Sequence, residues 1–425
     1  MANSYLTRTP GSSGNRKTFT ISAWFKKCKP GSNQILVQAA TDGSTRSQIT
    51  IRSDDAIEFY SENGGVTKIN LKTNRLLRDT SAWYHVVVAI DTTQGTNTNR
   101  AKLYINGVQE TSLATATYPD QNYDTQFNHT VAHTIGRRDA YSDMYFEGYV
   151  SHFSVIDGTA SAPTVFGQTD STSGIWKFKA PSGVTWGTNG FHLKFENSGA
   201  LGTDSSGNTN TFTVNGNLKQ ALDTPSNVYN TLNPNYQSTF HSTSRATLAN
   251  GNTKWTASSN NTGQNAILST LGMSKGKWYM EVKWKGTYDA VIAVAKEDFG
   301  MMTAGTGGLQ SAGWYGMNTN ISNTGGSGMA WWSNNSATGE RGTALSQNDI
   351  VMMAIDIDNS KLYFGKNGTW EESGDPTSGA SGTGATSTLA SNTTYLVGCG
   401  NYGYDVANSW EFNFGNGFFG TTAIT

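Results

Sequence analysis

The sequence predicts an all-β protein built of two tandem antiparallel β-sandwich domains of the jelly-roll type. Three observations lead to this prediction. Apolar and polar residues alternate with a period of two along many short segments, whereas helical periodicity is almost absent. The 425 residues include 48 Gly but only 8 Pro, and aromatic residues make up 11% of the chain. Short strands joined by Gly-rich turns have this composition.

The alternation assigns the individual strands. In the segment 18–25, the side chains of Phe19, Ile21, Ala23 and Phe25 share one face. Such strands bury one face and expose the other to water, as the sheets of a sandwich do. The pattern recurs in the segments 191–196, 278–284 and 410–414. By the same alternation we expect three tryptophans of these segments in the core: Trp278, Trp284 and Trp410.

Asn-Gly dipeptides supply the turns, since both residues tolerate the positive φ angles of tight hairpins. Four of them, which follow or precede apolar alternation, stand at 106–107, 189–190, 215–216 and 367–368. Two stretches share one order of elements: a buried strand, a connection, an amphipathic strand and an Asn-Gly turn. These stretches are 83–107 and 349–368. Their separation is far larger than a solenoid repeat, so they predict a similar hairpin in each of two domains.

A chain of 425 residues is too long for a single hydrophobic core, so we expect more than one domain. Pro225 and Pro234 stand among Asn, Ser and Thr, which predicts an extended connector. We therefore place the first domain at 1–217, the connector at 218–240 and the second domain at 241–425. The Gly, Ser, Thr and Ala stretch 373–387 is predicted to be a surface loop of the second domain.

Charge and cysteine content narrow the function classes. The net charge is −1 and no basic patch is present, which disfavours nucleic acid and anionic membrane surfaces as partners. No run of about 18 apolar residues occurs, so we expect no membrane insertion. Cys28 and Cys399 lie near opposite ends of the chain and are expected to be buried free thiols.

Several segments resemble known families. Those at 19–25, 83–88 and 102–107 look like the laminin-G and pentraxin branch of the concanavalin-A-like superfamily. Those at 276–282, 349–368 and 412–415 resemble SPRY domains. Those at 153–158, 187–195 and 223–234 are similar to structural proteins of tailed-phage virions, many from marine hosts. The resemblance implies a fold and a binding role, and it names no ligand.

The order of the first domain departs from the family pattern. In many laminin-G-like domains a strand ending in a loop like 204–208 opens the domain, whereas here that loop follows the other strands. We therefore expect a permuted order, in which the segment 191–195 pairs near the N-terminal strand.

Because the superfamily includes glycosidases, catalysis has to be considered. Such enzymes need two carboxylates, typically about 5–9 Å apart. Asp356 and Asp358 share one face of a predicted strand, but Ala354 stands where the glucanases of the superfamily carry a Glu. We interpret this segment as a strand end that leads into an Asp-Asn turn. The protein is therefore expected not to be an enzyme.

The resemblance also implies one cofactor, calcium, because laminin-G-like relatives often hold this ion at the rim of the sandwich. The oxygen atoms of Asp204, Asn208 and Asn210 are the predicted ligands of such a hard cation. The alternative is that these side chains only stabilise a tight loop through Asx turns.

Aromatic residues in Gly-rich loops are the candidate ligand-binding residues, because sugar rings stack on exposed aromatic faces. The alternative for each is packing in the core or at its rim. Trp331 and Trp332 are neighbours on a predicted strand, so they cannot enter the same face of a core. The predicted ligand-binding residues are Trp314, Tyr315, Trp331, Trp332, Tyr402 and Tyr404.

Together these expectations describe a non-catalytic virion protein on the phage particle surface, either a tail fibre or a capsid-surface appendage. It would recognise host surface glycans, a host receptor or other virion proteins, and it would work as a homo-oligomer. The alternative is a purely structural capsid decoration protein. A glycan-degrading enzyme is the third possibility.

Overall fold

The computed structural model describes residues 3–237, 245–257, 265–287, 290–298, 313–319, 328–334, 336–340, 342–401, 408–419 and 422–423. The chain divides into unit 1 (Met1–Val228) and unit 2 (Tyr229–Thr425). Strands dominate both, and the only helices within the described ranges are single 3-10 turns, which confirms the all-β prediction. No helix within those ranges has the length and apolar character needed to cross a membrane.

Among its described residues, from position 3 onward, unit 1 contains sixteen strands and two 3-10 turns, Asn97–Asn99 and Pro163–Val165. The strands are β1 (Tyr5–Arg8), β2 (Thr18–Lys27), β3 (Gln34–Ala40), β4 (Arg46–Ile51), β5 (Ala56–Asn63), β6 (Val66–Leu76), β7 (Tyr84–Asp91), β8 (Ala101–Ile105), β9 (Val108–Gln109), β10 (Leu113–Thr117), β11 (Ala132–Ile135), β12 (Gly148–Asp157), β13 (Gly167–Thr169), β14 (Trp176–Phe178), β15 (Phe191–Leu193) and β16 (Thr213–Asn215).

These strands form two main antiparallel sheets. An eight-stranded sheet has the order β10-β6-β5-β4-β3-β11-β1-β16, and a six-stranded sheet has the order β15-β12-β2-β7-β8-β9. Strand β15 pairs with β12, which pairs with β2, and β16 pairs with β1. The late segment thus completes the N-terminal sandwich rather than joining unit 2, which confirms the expected permuted order.

Strand β2 is buried on both faces. Its inward side chains, Phe19, Ile21, Ala23 and Phe25, are fully buried in the main core, as the alternation predicted. The opposite face is covered by residues 159–189, which we call the strap. The strap contributes Phe166, Val165, Val184 and Trp186 to a second, smaller apolar cluster on Val87 and Ile156. The six-stranded sheet therefore has no bare face at its centre.

Asp223 ties part of the predicted connector to unit 1. Its Oδ2 lies 2.9 Å from Nζ of Lys26, and its Oδ1 accepts the indole N–H of Trp83 at 2.8 Å. The side chains of Lys26 and Asp223 are both 0% exposed. The division between the units falls inside the predicted connector, at 228–229, but the residues on either side are not a free linker, because a buried cation holds Asp223.

Unit 2 contains seventeen strands among its described residues and two 3-10 turns, Glu371–Ser373 and Gly379–Ser381. The strands are β17 (Leu232–Gln237), β18 (Thr247–Ala249), β19 (Lys254–Thr256), β20 (Ala266–Ser269), β21 (Lys277–Trp284), β22 (Ala290–Lys296), β23 (Trp314–Asn318), β24 (Ala330–Ser333), β25 (Ser336–Glu340), β26 (Ile350–Asp356), β27 (Lys361–Lys366), β28 (Thr369–Trp370), β29 (Ser387–Thr388), β30 (Tyr395–Asn401), β31 (Ser409–Asn413), β32 (Phe418–Phe419) and β33 (Thr422–Ala423).

Two antiparallel sheets again enclose the core of unit 2. One has the order β17-β20-β30-β22-β23-β24-β25, and the other runs β18-β19-β31-β21-β26-β27-β28, with β29 also paired to β27. Pro234 lies in β17, an edge strand, where the missing N–H of proline is tolerated. The core is rich in indoles: Trp284 and Trp410 are fully buried, with ring centroids 4.4 Å apart.

The predicted hairpin occurs in both units and is closed in the same way. In unit 1, the N–H of His85 donates to the side-chain oxygen of Asn106 at 2.8 Å, and the N–H of Asn106 returns to the carbonyl of His85 at 2.8 Å. In unit 2, Ile350 and Asn367 exchange the same two bonds at 2.8 and 2.9 Å. Both asparagines have φ of 48°. The Asn of each Asn-Gly dipeptide therefore closes its hairpin and also forms two hydrogen bonds with the buried strand that begins the motif.

Both cysteines are buried, and neither forms a disulfide bond. Burial raises the pKa of the Cys28 thiol to about 12 and that of Cys399 well above its usual value. Both thiols therefore stay protonated and behave as small apolar side chains. This confirms the prediction from the sequence.

Replacing Asp223 by Ala should destabilise unit 1 by about 3–5 kcal/mol, because Lys26 would stay buried without its carboxylate. The double variant Lys26→Met/Asp223→Leu should recover much of that loss, since it removes both charges. Calorimetric melting of the full chain measures both variants. Equal destabilisation of the single and double variants would show that packing, and not charge, makes this contact important.

Candidate functional site

A groove of about 220 Å³ opens on unit 2. Its base is formed by β21, β26 and β27, and its far wall by β28 and the loop that follows. The space suits one ring-sized group, since sites for larger ligands span several hundred cubic ångströms. The lining residues are Lys277, Trp278, Tyr279, Ala354, Ile355, Asp356, Tyr363, Trp370 and Pro376.

Strand register puts a small residue between two large rings. Ala354 of β26 lies opposite Tyr279 of β21 on one side and opposite Tyr363 of β27 on the other. Residues paired in this way point to the same face of a sheet. Because Ala354 has only a methyl group, the sheet surface is low between its neighbours, and this depression is the floor of the groove.

The first wall is formed by the Tyr279 ring at the start of β21, on the same face as Ala354, while Trp278 points to the opposite face and borders the groove at the end of the strand. Trp278 is 48% exposed and Tyr279 is 55% exposed, the largest exposures of aromatic side chains among the described residues of unit 2. The prediction that Trp278 lies in the core was wrong. Its indole N–H donates to the carbonyl of Lys275 at 2.9 Å, which holds the ring against the strand entry instead of in the interior.

The second wall is Trp370. Its ring meets Tyr279 edge-on, with centroids 6.2 Å apart, and lies against the backbone of Gly365. A Cβ atom added to Gly365 would come within 3.1 Å of the indole and 2.7 Å of the carbonyl of Thr369. Glycine at this position therefore lets Trp370 lie close to the sheet beside the groove.

A hydrogen bond holds the ring of Tyr279 in place. The hydroxyl of Tyr279 donates to Oε1 of Glu281 at 2.7 Å. Partial burial and this bond to a carboxylate raise the pKa of Tyr279, so the phenol stays neutral. The ring is thus presented in a fixed orientation, which lowers the entropy lost when a ligand stacks on it.

One end of the groove is polar. Asp356 accepts both the backbone N–H of Asn359 at 3.0 Å and its side-chain N–H at 2.9 Å, and Nζ of Lys277 lies 3.2 Å from the carboxylate. Burial alone would raise the pKa of Asp356, but the bonds from Asn359 and Lys277 outweigh it and the pKa is lowered. The carboxylate is therefore ionised, and Lys277 is 53% exposed beside it.

The Gly-rich stretch 373–387 contributes the outer part of the far wall through Pro376. It is a surface loop, as predicted, but an organised one. Asp375 accepts the N–H and hydroxyl of Thr377, and the hydroxyls of Ser378 and Tyr363 lie 3.3 Å apart. Composition indicated a loop here, and its place beside the groove follows only from the pairing of β27 with β29.

The structure places three of the predicted ligand-binding aromatics in the interior. Trp314 and Tyr315 belong to β23, and Trp331 to β24. They are 0%, 5% and 1% exposed, respectively. The expectation that Trp314 and Tyr315 lie in a loop, and that all three residues bind a ligand, is corrected, because alternating side chains of two paired strands carry them into two apolar clusters.

Trp331 and Trp332 point to opposite faces, as the alternation predicted. Trp331 stacks on Phe364 in the main core, with centroids 5.4 Å apart. Trp332 is half-buried and stacks on Trp314 in the smaller cluster. Among the predicted stacking residues in the described ranges, only Trp332 keeps a substantial accessible surface. Tyr402 and Tyr404 lie outside the described residues.

The predicted calcium ligand Asp204 is already saturated by hydrogen bonds. Its Oδ1 accepts the backbone N–H groups of His192 at 2.9 Å and Ser206 at 2.8 Å. Its Oδ2 accepts the Ser206 hydroxyl and the N–H of Asn210, both at 2.8 Å. These four donors meet the carboxylate from two sides, which is the Asx-turn arrangement considered as the alternative.

The two asparagines direct their NH₂ groups to the loop 187–190. Asn208 donates to the carbonyls of Gly187 and Gly190, at 2.6 and 3.0 Å, and Asn210 donates to those of Thr188 and Gly190, at 3.0 and 2.8 Å. The side-chain oxygen of Asn210 accepts a guanidinium N–H of Arg8. A cation at this oxygen would meet the positive charge of Arg8, so these residues do not fit calcium.

Within the described residues, no group of three or more His, Cys, Asp or Glu side chains is arranged to hold a metal ion. The cluster of Asp204, Asn208 and Asn210 instead joins two loops.

Adding calcium or a chelator should therefore leave the melting temperature of the full chain unchanged. Asp204→Ala should lower it equally in both conditions, because four donors lose their acceptor. A rise of several degrees with calcium would contradict this assignment.

Trp278 and Trp284 form a matched pair in one strand. Trp284→Ala should cost about 3–5 kcal/mol of unfolding free energy, because a fully buried indole leaves a cavity. Trp278→Ala should cost less than about 1 kcal/mol, because half of its surface is already in water. Denaturant unfolding of both variants measures the difference. A large loss for Trp278→Ala would mean that its ring supports the fold rather than a ligand.

Comparisons with known proteins found one family match in unit 1 and similar solved structures. No curated protein matches the sequence. Among solved structures, the SPRY domain of human HERC1 is similar, with a TM-score of 0.29, 14% identity, and coverage of 43% of this chain and 96% of that chain. The PSpry domain of TRIM65 has a TM-score of 0.29, 12% identity, and coverage of 44% and 92%. Residues 1–166 match the family described as the Concanavalin A-like lectin/glucanases superfamily, of the laminin-G type, so this part of unit 1 is similar to concanavalin-A-like domains.

Proposed function

We propose that the protein is a non-catalytic recognition protein that binds a sugar ring of a surface glycan in the groove of unit 2. The observation that carries this proposal is the exposed Tyr279 ring, which stands beside Trp370 at the groove on a rigid sheet. Apolar faces of sugar rings stack on such aromatic surfaces. Asp356, Asn359 and Lys277 at the polar end supply donors and acceptors for hydroxyl groups.

The spacing of the carboxylates supports binding rather than bond cleavage. Glu281 and Asp356 lie on one face of adjacent strands, but Asp356 is opposite Lys277, four residues from Glu281 along β21. At about 3.3 Å per residue their backbones are about 13 Å apart. A glycosidase pair stands about 5–9 Å apart. Asp358 accepts the N–H of Gly276 and holds the turn instead.

We place this recognition on a phage particle, in a tail fibre or a capsid-surface appendage that also contacts other virion proteins. The support is the resemblance of three segments of the sequence to tailed-phage virion proteins. A single small groove implies weak binding by one copy. A homo-oligomer on a virion would present several grooves, and linked sites convert weak contacts into strong attachment.

Tyr279→Ala and Trp370→Ala should each weaken retention on responding spots of a glycan array by about tenfold, since each removes one stacking surface. Tyr141→Ala is the matched control, because this tyrosine is 57% exposed but lies in unit 1. Binding that survives loss of both groove aromatics, or that Tyr141→Ala reduces equally, would refute the groove as the glycan site. Release of oligosaccharides from any bound polysaccharide would overturn the non-catalytic assignment.

A structural role as a capsid decoration protein is the second candidate. It is favoured by the same exposed indole and phenol, because aromatic side chains are also the usual anchors of protein interfaces. The two candidates separate in one comparison. Trp278→Ala virions that attach to host cells normally but lose copies of the protein would support decoration, whereas full occupancy with poor attachment supports recognition.

A further inference from the structure

The strap leaves the six-stranded sheet of unit 1 and returns to it at one residue, Asp157. The N–H of Asp157 donates to the carbonyl of Trp186 at 2.9 Å, and its Oδ2 accepts the N–H of Asn189 at 2.9 Å. Most strap side chains are exposed or half-buried. A surface loop with adjoining ends and few buried side chains can open as a unit without changing the pairing of the strands beneath it.

Three aromatic side chains of the strap each lie on a histidine of the sheet, with nearly parallel rings. These contacts come from three different strands, β7, β12 and β15. The pairs, with their centroid distances and interplanar angles, are Trp176 on His85 (6.0 Å, 17°), Phe178 on His152 (3.6 Å, 11°) and Trp186 on His192 (5.6 Å, 24°).

The first of these contacts includes a hydrogen bond that requires an uncharged imidazole. The indole N–H of Trp176 donates to Nδ1 of His85 at 3.0 Å, and an indole can only donate. Nδ1 therefore carries no proton, and Nε2 holds the ring proton and donates to the hydroxyl of Ser22 at 2.8 Å. Protonation of Nδ1 would place its N–H opposite the indole N–H of Trp176. Two donors cannot bond to each other, so the hydrogen bond between the two side chains would break.

Trp176 also fits closely between two glycines. A Cβ atom added to Gly107 would lie 2.6 Å from its ring, and one added to Gly167 would lie 2.4 Å from it. Behind it, His85 stacks on Trp24 with centroids 4.5 Å apart. The imidazole is thus enclosed by aromatic rings, and burial lowers its pKa to about 3.

The second histidine stands at a break in the sheet. The register of β12 against β2 shifts between Ser151 and Ser154, and His152 within this bulge has φ of 48°. The bulge turns the imidazole toward Phe178 of the strap. Burial, with smaller contributions from His192 and Lys194, lowers the pKa of His152 to about 4.

Among the described residues, no carboxylate offsets a proton on His85 or His152, whereas Asp204 does so in part for His192. Lys194 and His192 both oppose a charge on His152. Asp204 is bound to four donors at the next site, where it faces His192. On the strap, Asp170 and Lys177 form an ion pair with each other at the exposed hairpin.

We propose that the strap is a detachable cover, and that protonation of His85 and His152 in mild acid releases it from the six-stranded sheet while the sandwich beneath stays folded. Once the strap opens, each ring meets water and regains an ordinary pKa near 6.5. The open form then binds protons that the closed form excludes, so the closed form loses relative stability as the pH falls below 6.5.

The change in the open fraction of the strap follows from the difference in histidine pKa between the closed and open forms. Between pH 7.5 and 5.5, each histidine should raise the open fraction about tenfold, and the two together should raise it about 100-fold. Ordinary Asp and Glu side chains remain ionised at pH 5.5, so general acid unfolding is avoided in this range.

Hydrogen exchange of the full chain, followed by mass spectrometry, tests the proposal. Protection factors, which correct for the intrinsic pH dependence of exchange, should fall about 100-fold for strap amides between pH 7.5 and 5.5. Those of β3 in the opposite sheet should not change. An unchanged strap, or a strap and β3 that lose protection together, would overturn the proposal.

The double variant His85→Gln/His152→Phe keeps an acceptor for Trp176 and a ring for Phe178 but cannot titrate at these two positions, so the strap should lose the response of about 100-fold that they supply. His129→Gln is the matched control, because His129 lies beside Arg16 and Asp124 and not beneath the strap. In the His129→Gln variant, the strap amides should lose protection between pH 7.5 and 5.5 as they do in the parent protein. A double variant that retained the response would refute the role of these histidines.

Trp176→Phe gives a test that does not replace a buried histidine. It keeps an aromatic ring in the cleft between the glycines but removes the donated hydrogen bond together with part of the indole. The strap of this variant should be several-fold more open at pH 7.5 than in the parent protein. Protection equal to that of the parent would contradict the requirement for an uncharged acceptor on His85.

Discussion

Adjacent side chains of a β-strand must point to opposite faces, and this constraint organises both units and the candidate site. In β2 it sends four apolar side chains into the main core and the intervening Thr20 to the opposite face, where it contacts the strap. In β24 it separates Trp331 from Trp332. At the start of β21 it leaves the Tyr279 ring on the outer surface, where it borders the groove. A recognition surface therefore arises here from the same rule that fills the interior.

Much of the fold could be predicted because the relevant chemistry is local. The alternation in the segment 18–25 and the Asn-Gly turns at 106–107 and 367–368 depend on neighbouring residues alone. The two hairpins are even clamped by the same pair of bonds. The permuted closure of unit 1 was also predictable, because the late segment carried a strand pattern with an apolar face that required a partner.

The site was less predictable because burial and hydrogen-bond direction depend on distant parts of the chain. Glycines beside Trp314 and Tyr315 suggested a loop, but neighbouring strands enclose both residues. For Asn208 and Asn210, composition suggested oxygen ligands, whereas the nitrogen atoms face the loop 187–190. The sequence did contain one indication of the groove. Trp278 and Tyr279 are adjacent, so the reasoning applied to Trp331 and Trp332 would have placed one of them outside the core.

The pairing of β16 with β1 has a consequence for biosynthesis. Tyr5 lies opposite Asn215, so the first strand of unit 1 meets one of its two partners only after more than 200 further residues have been made. The other partner, β11, also comes late, since Leu6 pairs with Ile135. While the ribosome is still translating unit 1, one edge of the nascent sheet stays open to other chains, and such edges are where newly made β-proteins associate wrongly. Slow elongation through this region would prolong that exposure, whereas a chaperone that covers the edge would shorten it.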